Sequence, residues 1–394
     1  MPTRSLLRLA LALLLPAALL PAADVSVEDR LKALEQQVRQ LAQENTELKQ
    51  QLGVKDFSTL TLPRPAGKED RLAIGGFLQA QAEFGRAADP RFAGIRDRFF
   101  FRRARVYVAG SFTDDLDFKA ELDLQGNTLA AGTGQLARAN EIYLGWHKYP
   151  LASLRFGQIK SAFGAEQLAS DTKVYTIERF LANDRLTDGR QLAASLAGEL
   201  PAPRLSYLFV VGNGNGVNVS GNDNSHFQKS ARVTFTPVVT KDSRLVLGAN
   251  GLWTEDAGVS KAGFGFTGNT FTGTRSAWGV DADWTWGRLD LGAEWLHEDF
   301  KPASAVPAAN FAGEGWHATA AYYLLPMKLQ AIVRREEFDP NTSLPGTTIG
   351  AWTFGVNYLF HGDDLKLMLD YVVGRVPGAT DDGGRLLTRL QVVF

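Results

Sequence analysis

Six arginines crowd one short stretch of this chain, between Arg91 and Arg105. On a β-strand, where side chains alternate between two faces, Arg103 and Arg105 share one face with Tyr107. If that strand crosses a bilayer, these arginines cannot face lipid, because each arginine at mid-bilayer costs about 2–4 kcal/mol. We therefore expect Arg103 and Arg105 to point into the interior of a barrel, and Arg102 to lie at its rim or mouth.

Further cations could act together with these arginines. Several lie on predicted strands, at positions that the alternation assigns to the interior face: Lys119, Arg155, Arg232, Arg244, Arg334, Arg385 and Arg389. A long segment without alternation adds Lys160, Lys173, Arg179, Arg185 and Arg190. Such cations suit an anion-selecting pore, because guanidinium N–H groups replace the hydration that an oxyanion loses. The alternative is that they pair with interior carboxylates and only solvate the wall. The candidates for such pairing are Asp117, Glu121, Asp123, Glu141, Asp281 and Asp290.

No motif in the sequence predicts catalysis. It contains no phosphate-binding loop ending in Lys-Ser/Thr, no HExxH and no GxSxG. "GNGNG" at 212–216 lies at a predicted strand end and is interpreted as a turn rather than a nucleotide cradle. Cysteine is absent and the five histidines are scattered, although His297 and His317 could face each other across neighbouring strands. We expect no enzyme, no metal and no cofactor. The net charge of −1 points to no partner class, and we expect no nucleic-acid partner.

The elements that must position these cations are β-strands. Apolar and polar residues alternate from Arg71 to the C-terminus, in sixteen strand candidates. They begin near residues 71, 98, 115, 139, 152, 191, 203, 229, 243, 274, 288, 313, 327, 348, 363 and 385. Connections after odd-numbered candidates are long and those after even-numbered ones are short, which is typical of outer-membrane barrels. We predict an all-β fold, a 16-stranded antiparallel transmembrane β-barrel over residues 71–394.

One segment of 32 residues, from Ile159 to Arg190, interrupts the alternation. Compact domains rarely contain so long a connection without a function for it. We predict that this segment folds back into the interior as a constriction. It would bring Lys160, Lys173 and Arg179 towards the arginines of the wall.

Three segments precede the predicted barrel. Residues 1–23 place two arginines before an apolar run that ends in small residues, which predicts a secretory signal peptide. Residues 24–56 carry apolar residues alternately four and three apart, which predicts a coiled coil and therefore an oligomer. A single packed amphipathic helix is the alternative. Asn45 occupies a core position of this pattern and would fix register and chain number. Residues 57–70 are predicted to be a linker.

The chain resembles the phosphate-selective porin (porin O/P) family of Gram-negative outer membranes. The resemblance is carried by "FFFRRARVYVAGSFTDDLDFKAELDL" (99–124), "NEIYLGW" (140–146), "LRFGQIKSAFGAEQLASDTKVYTIER" (154–179) and the closing "TRLQVVF". It implies a trimeric sixteen-stranded barrel whose third external loop folds inward. The terminal Phe394 resembles the signal that the barrel-assembly machinery reads.

The resemblance also implies roles for individual residues. Arg102, Arg103, Lys119 and Arg179 match family positions near the anion constriction. Two positions depart from the family pattern, because Asn140 stands where an acidic residue is expected and Gln167 where a lysine is expected. Loss of that lysine should weaken binding of a doubly charged anion.

The function expected from these features is that of a porin in outer-membrane lipid. It would be a homotrimer that passes small solutes by passive diffusion and prefers anions, with phosphate or other oxyanions as candidates. Its coiled coil would lie in the periplasm and could touch peptidoglycan. The alternative is a structural tether, a barrel that mainly anchors the coiled coil.

Overall fold

The computed structural model describes residues 71–125, 137–200, 204–303, 310–379 and 383–394. The predicted signal peptide, the coiled coil with Asn45 and the linker lie outside these ranges and stay predictions. Among the described helices, none is long and apolar enough to cross a membrane.

Sixteen antiparallel strands form a closed barrel in which each strand pairs with its neighbours in sequence and the first pairs with the last. The strands are β1 (Arg71–Gly85), β2 (Arg98–Thr113), β3 (Leu116–Asp123), β4 (Arg138–Tyr149), β5 (Ala152–Lys160), β6 (Arg190–Leu200), β7 (Leu205–Gly212), β8 (Gln228–Val239), β9 (Ser243–Ser260), β10 (Thr270–Trp286), β11 (Leu289–Pro302), β12 (Phe311–Leu325), β13 (Leu329–Asp339), β14 (Ile349–His361), β15 (Leu365–Arg375) and β16 (Gly384–Val393). The sixteen predicted strands are confirmed, and each begins within four residues of its predicted start.

The two faces of the wall have opposite character. On β10, Trp278 and Val280 are exposed on the outside, whereas Arg275 and Asp281 are buried on the inside. The same division recurs around the barrel, with large apolar side chains exposed and many polar and charged ones buried. A soluble protein shows the reverse, whereas a wall that faces lipid requires this arrangement.

The chain closes the barrel with its last residue. The amide N–H of Gly76 donates to the carbonyl oxygen of Phe394 at 2.8 Å, and the N–H of Phe394 donates back at 3.0 Å. Phe394 therefore extends the ladder between β1 and β16. Because the sheet is closed, it presents no edge of unpaired backbone groups to lipid.

The connections alternate in length as predicted. Those after even-numbered strands have two to four residues, and those after odd-numbered strands have at least eight. Since neighbouring strands are antiparallel, all long connections lie at one end of the barrel and all short ones at the other.

The longest connection, residues 161–189, is called the inward loop below. It contains two short helices, α1 (Ala165–Leu168) and α2 (Leu181–Leu186). Its buried residues Phe163, Phe180 and Leu186 pack in one apolar cluster with Leu252 of β9, Leu296 of β11 and Phe338 of β13. Because the loop leaves from β5 and returns to β6, it can meet those strands only across the interior of the barrel.

Gly315 of β12 is predicted to set how closely α2 approaches the wall. A Cβ atom at this position would lie 2.4 Å from the Cβ of Ala182 and 2.7 Å from the carbonyl oxygen of Glu337. Gly315→Ala should therefore displace α2 and destabilise the barrel by about 1–3 kcal/mol, as overpacking does elsewhere. Thermal unfolding in detergent measures the loss.

Gly189→Ala is the matched control, because a Cβ there has no atom within 4 Å among the described residues. It should unfold like the wild type. If Gly315→Ala also unfolds like the wild type, the close packing of α2 on β12 is contradicted.

Candidate functional site

A β-bulge orients the arginines of β2. The register of the β1–β2 ladder shifts between Gln79 and Ala80, and Arg102 has no partner strand residue there. Since a bulge inserts one extra residue, Arg102 points inward together with Arg103 and Arg105. The three residues are only 6%, 4% and 2% exposed. The prediction that Arg102 lies at the rim is wrong, because strict alternation does not anticipate a bulge.

One carboxylate of the inward loop joins three arginines. Asp171 Oδ2 lies 2.5 Å from Arg105 Nη1. Its Oδ1 lies 2.8 Å from Arg179 Nη1 and 3.3 Å from Arg103 Nη2. Burial alone would raise the pKa of Asp171, but the guanidinium groups outweigh it and hold that pKa well below its usual range. Asp171 is therefore ionised at neutral pH.

A second loop carboxylate, Glu178, joins β2 to β16. It lies 3.0 Å from Arg102 Nε and 2.8 Å from Arg389 Nη2, and it accepts a hydrogen bond from Gln81. Burial again opposes ionisation, but Arg102 and Arg389 hold the pKa of Glu178 below its usual range. The two carboxylates thus attach one side of the loop to β16, β1 and β2, the strands at which the barrel closes. This part of the wall is called the seam below.

The backbone of the inward loop is also held by side chains of the wall. Oxygens of the wall accept from loop N–H groups at 2.5–3.2 Å, pairing Ser230 with Ala162, Asn250 with Gly164, Glu294 with Ala165, Asp370 with Ile177 and Glu336 with Leu181. Donors of the wall bind loop carbonyls, pairing Gln79 with Asp171, Lys366 with Thr172, Asn357 with Tyr175 and Arg334 with Glu178. Buried backbone groups need such partners, so these bonds determine the path of the loop.

A separate ionic cluster anchors the end of the inward loop. Arg275 of β10 is buried and pairs with Asp188 of the loop at 3.0 Å, with Asp256 and with Glu298. Lys261 lies 3.1 Å from Asp188 and 3.3 Å from Glu298. Although burial opposes it, Arg275 and Lys261 keep the pKa of Asp188 below its usual range. No local pattern in the sequence indicates this cluster.

A cavity of about 330 Å³ opens between the inward loop and strands β1–β7. Five cations line it, namely Arg105, Lys119, Arg155, Lys160 and Arg190. Three carboxylates line it as well, namely Glu121, Glu141 and Asp171. Lys119 Nζ lies 2.8 Å from Glu121 and 2.9 Å from Glu141, so the positive charge of this lysine is neutralised.

Two arginines of this cavity lack such neutralisation. Within the described ranges, neither Arg155 nor Arg190 has a carboxylate oxygen within 4.0 Å. Arg155 lies over the ring of Tyr143, 4.6 Å from its centroid, so Tyr143 faces the interior. Lys160 Nζ donates to the carbonyl oxygens of Gln167 at 2.7 Å and Ala169 at 3.0 Å. These hydrogen bonds hold the Lys160 amine against the backbone of the inward loop.

The other predicted site residues lie at different places. Asn140 is buried and donates to Glu121. The side-chain oxygen of Gln167 accepts from Asn183 at 3.2 Å. Lys173 lines a smaller cavity of about 100 Å³, formed with strands β10–β13 on the other side of the loop. The structure therefore brings Lys119 and Lys160 together with Arg105, but not Lys173.

His297 and His317 do not face each other. In the β11–β12 ladder His297 lies opposite Glu314, and His317 lies opposite Glu294. His317 points inward against the ring of Phe180, whereas His297 stacks on the outward-facing Trp295. Glu314, the partner of His297, lies three residues before His317 on β12. Because side chains alternate between the two faces of a strand, the two histidine rings lie on opposite faces.

The closed barrel of sixteen strands with an inward loop has the fold of porins. OmpT of Vibrio cholerae in its trimer form is 14% identical with a TM-score of 0.58, over 82% of this chain and 99% of OmpT. The outer-membrane channel DcaP of Acinetobacter baumannii is 13% identical with a TM-score of 0.58, over 85% and 100%. An anion-selective porin from Comamonas acidovorans is 11% identical with a TM-score of 0.55, over 83% and 100%.

Sequence comparison narrows this class to one family. The profile of the family described as phosphate-selective porin O and P matches residues 76–264 and 254–394. Porin O of Pseudomonas aeruginosa is 25% identical over 404 residues, covering 83% of this chain and 89% of the relative. The chain therefore belongs to the phosphate-selective porin O and P family, which confirms the resemblance. It is an outer-membrane porin and not an enzyme.

The two carboxylates at the seam predict how pH affects the inward loop. The pKa values of Asp171 and Glu178 are depressed while the loop is attached. The stabilisation that they contribute is therefore complete above the pKa of a free carboxyl, about 4, and is lost as pH falls further. The contribution of these two carboxylates, measured in detergent as the difference in thermal stability between the wild type and the double variant Asp171→Asn, Glu178→Gln, should therefore stay constant from pH 8 to pH 5 and shrink below about pH 4. A contribution that already shrinks between pH 7 and pH 5 would contradict the assignment of these carboxylates as anchors.

Proposed function

We propose that this porin passes small solutes by passive diffusion and favours anions, phosphate and other oxyanions among them. The observation that carries the proposal is the cavity beside the inward loop, which five cations and three carboxylates line. An anion that enters gains N–H donors in place of lost water, whereas a cation meets uncompensated positive charge. Low-dielectric walls around the cavity focus this field.

The predicted selectivity residues divide into two groups in this proposal. Arg102, Arg103, Arg105 and Arg179 hold the loop carboxylates, so much of their charge is neutralised. Their role is to keep the segment 159–190 in place as the constriction. Lys119 and Lys160 face the cavity, and we add Arg155 and Arg190 as the cations that set the preference for anions.

The solute is proposed to be a small anion in general rather than phosphate alone. Gln167 stands where the family pattern has a lysine. Its side-chain oxygen accepts a hydrogen bond from Asn183. The side-chain amide of Asn140 donates a hydrogen bond to Glu121, whereas the carboxylate expected at position 140 would have repelled Glu121. The loss of a cation at position 167 lowers the positive charge that a tight site for a doubly charged anion would need. The relatives named above include one described as anion-selective, which supports the broader preference.

We also propose a homotrimer in outer-membrane lipid, fastened by a periplasmic coiled coil over residues 24–56. The heptad pattern with Asn45 at a core position supports it, since so narrow an apolar stripe on a helix needs partner helices. The trimer form of OmpT shows that a barrel of this fold assembles in threes. Recognition of Phe394 by the assembly machinery and contact of the rod with peptidoglycan belong to the same proposal. If the barrel conducts no ions, a structural tether becomes the preferred function.

Removal of two cavity charges tests the proposed selectivity. At about 8 Å in water, a unit charge changes the energy of an ion by about 0.5 kcal/mol. The double variant Arg155→Gln, Arg190→Gln should therefore lower the anion-to-cation permeability ratio several-fold, measured as a reversal potential across a KCl gradient.

Lys229→Gln is the matched control for this pair. Lys229 is exposed on the outer face of β8, so its loss removes a charge without touching the cavity. It should leave the reversal potential unchanged. A double variant that keeps the wild-type ratio would remove Arg155 and Arg190 from the selectivity mechanism.

The coiled coil predicts the outcome of a deletion. A variant that lacks residues 24–56 but keeps the signal peptide should still form barrels, and its trimers should dissociate at lower temperature or detergent concentration. Native mass spectrometry or native gels measure this. Gln36→Ala is the control, because this residue lies outside the predicted core positions of the segment. Trimers as stable as the wild type would contradict the role of the coiled coil.

A further inference from the structure

The arginine cluster of the seam already holds an anion that belongs to the chain itself. Asp171 lies within 3.3 Å of guanidinium nitrogens from Arg103, Arg105 and Arg179. Charge-assisted hydrogen bonds from several guanidinium groups are also what proteins use to bind free carboxylate or phosphate. The side chain of Asp171 therefore occupies a position that a free oxyanion would suit.

The guanidinium groups around Asp171 have donors to spare. Arg103 Nε and Arg105 Nη2 are buried and have no hydrogen-bond acceptor among the described residues. The residues themselves are at most 4% exposed. A carboxylate offers two oxygens, whereas phosphate offers four and can carry two charges. A larger oxyanion could use donors that Asp171 leaves unsatisfied.

The cluster can be reached from the cavity. Asp171 and Arg105 both line the cavity of about 330 Å³ that is proposed to carry anions. Glu178, the other carboxylate of the seam, does not line it. An anion in the cavity therefore meets Asp171 first and must compete with it for the same arginines.

Tethering gives Asp171 an advantage in that competition. A group on a short linker has an effective concentration of about the millimolar range. The many hydrogen bonds that hold the backbone of the inward loop restrict Asp171 further and favour its position among the arginines. A free anion at lower concentration is therefore displaced.

We propose that Asp171 is a built-in competitor that keeps free oxyanions from residing on the arginine cluster. Anions then pass the constriction without being retained. This inference rests on the proposed anion-preferring function and assigns one determinant of its specificity. It implies that a neutral residue at this position converts the cluster into an oxyanion-binding site.

The test is block of chloride current by inorganic phosphate in planar bilayers. Asp171→Asn should be blocked at phosphate concentrations at least about tenfold below those that block the wild type, because a competitor of about millimolar effective concentration is gone. Arg103→Gln in the Asp171→Asn background should reverse the gain. Block of Asp171→Asn at wild-type phosphate concentrations would overturn the proposal.

Asp188→Asn is the matched control, since it removes the same charge from the same loop. There Arg275 keeps Asp256 and Glu298, and Lys261 keeps Glu298, so no unoccupied cation cluster results. It should be blocked by phosphate as the wild type is. Equal tightening in both variants would mean that net loop charge, and not the position of Asp171, is responsible.

Equilibrium binding of radiolabelled phosphate to the purified barrels is a second readout. It does not depend on conduction, so it covers a variant whose loop moves. Absence of tighter phosphate binding by Asp171→Asn also overturns the proposal. The wild-type reversal potential separates the two claims, because a cation preference there would refute the proposed function, whereas unchanged block refutes only the role of Asp171.

Discussion

Charge pairing between the inward loop and the wall is the interaction on which the interior of this barrel depends. Lipid excludes arginine from the middle of the outer face, so the arginines at mid-strand must lie inside. Buried charges are tolerated there only when they meet opposite charges and hydrogen-bond partners. Asp171 and Glu178 meet this need at the seam, and Asp188 meets it on β10. The position of the loop is thus a consequence of the charges on the wall.

The proposed selectivity depends on the cations that this pairing leaves without a carboxylate partner. The loop carboxylates occupy the arginines of β2 and β16, and glutamates of β3 and β4 occupy Lys119. Arg155 and Arg190 have no such partner in the described part of the chain, and both face the cavity. Stability and selectivity therefore draw on different cations.

Local patterns were sufficient to predict the strands, whereas the pairing of charges was not predictable. Alternation and connection length are read within a few residues, so all sixteen strands and the inward loop could be inferred. Arg102 was placed wrongly because a bulge between Gln79 and Ala80 is a property of two strands together. Asp171, Glu178 and Asp188 were missed because a segment without periodicity gives no indication of which side chains it will meet. Lys173 was grouped with the arginines for the same reason, although it lines the opposite cavity.

Uncompensated positive charge in the cavity should make this porin prefer anions. The wild-type reversal potential in a KCl gradient across a planar bilayer tests it most directly, with the full chain inserted from one side. The potential should be displaced towards the equilibrium potential of chloride. A potential displaced towards that of potassium would contradict it.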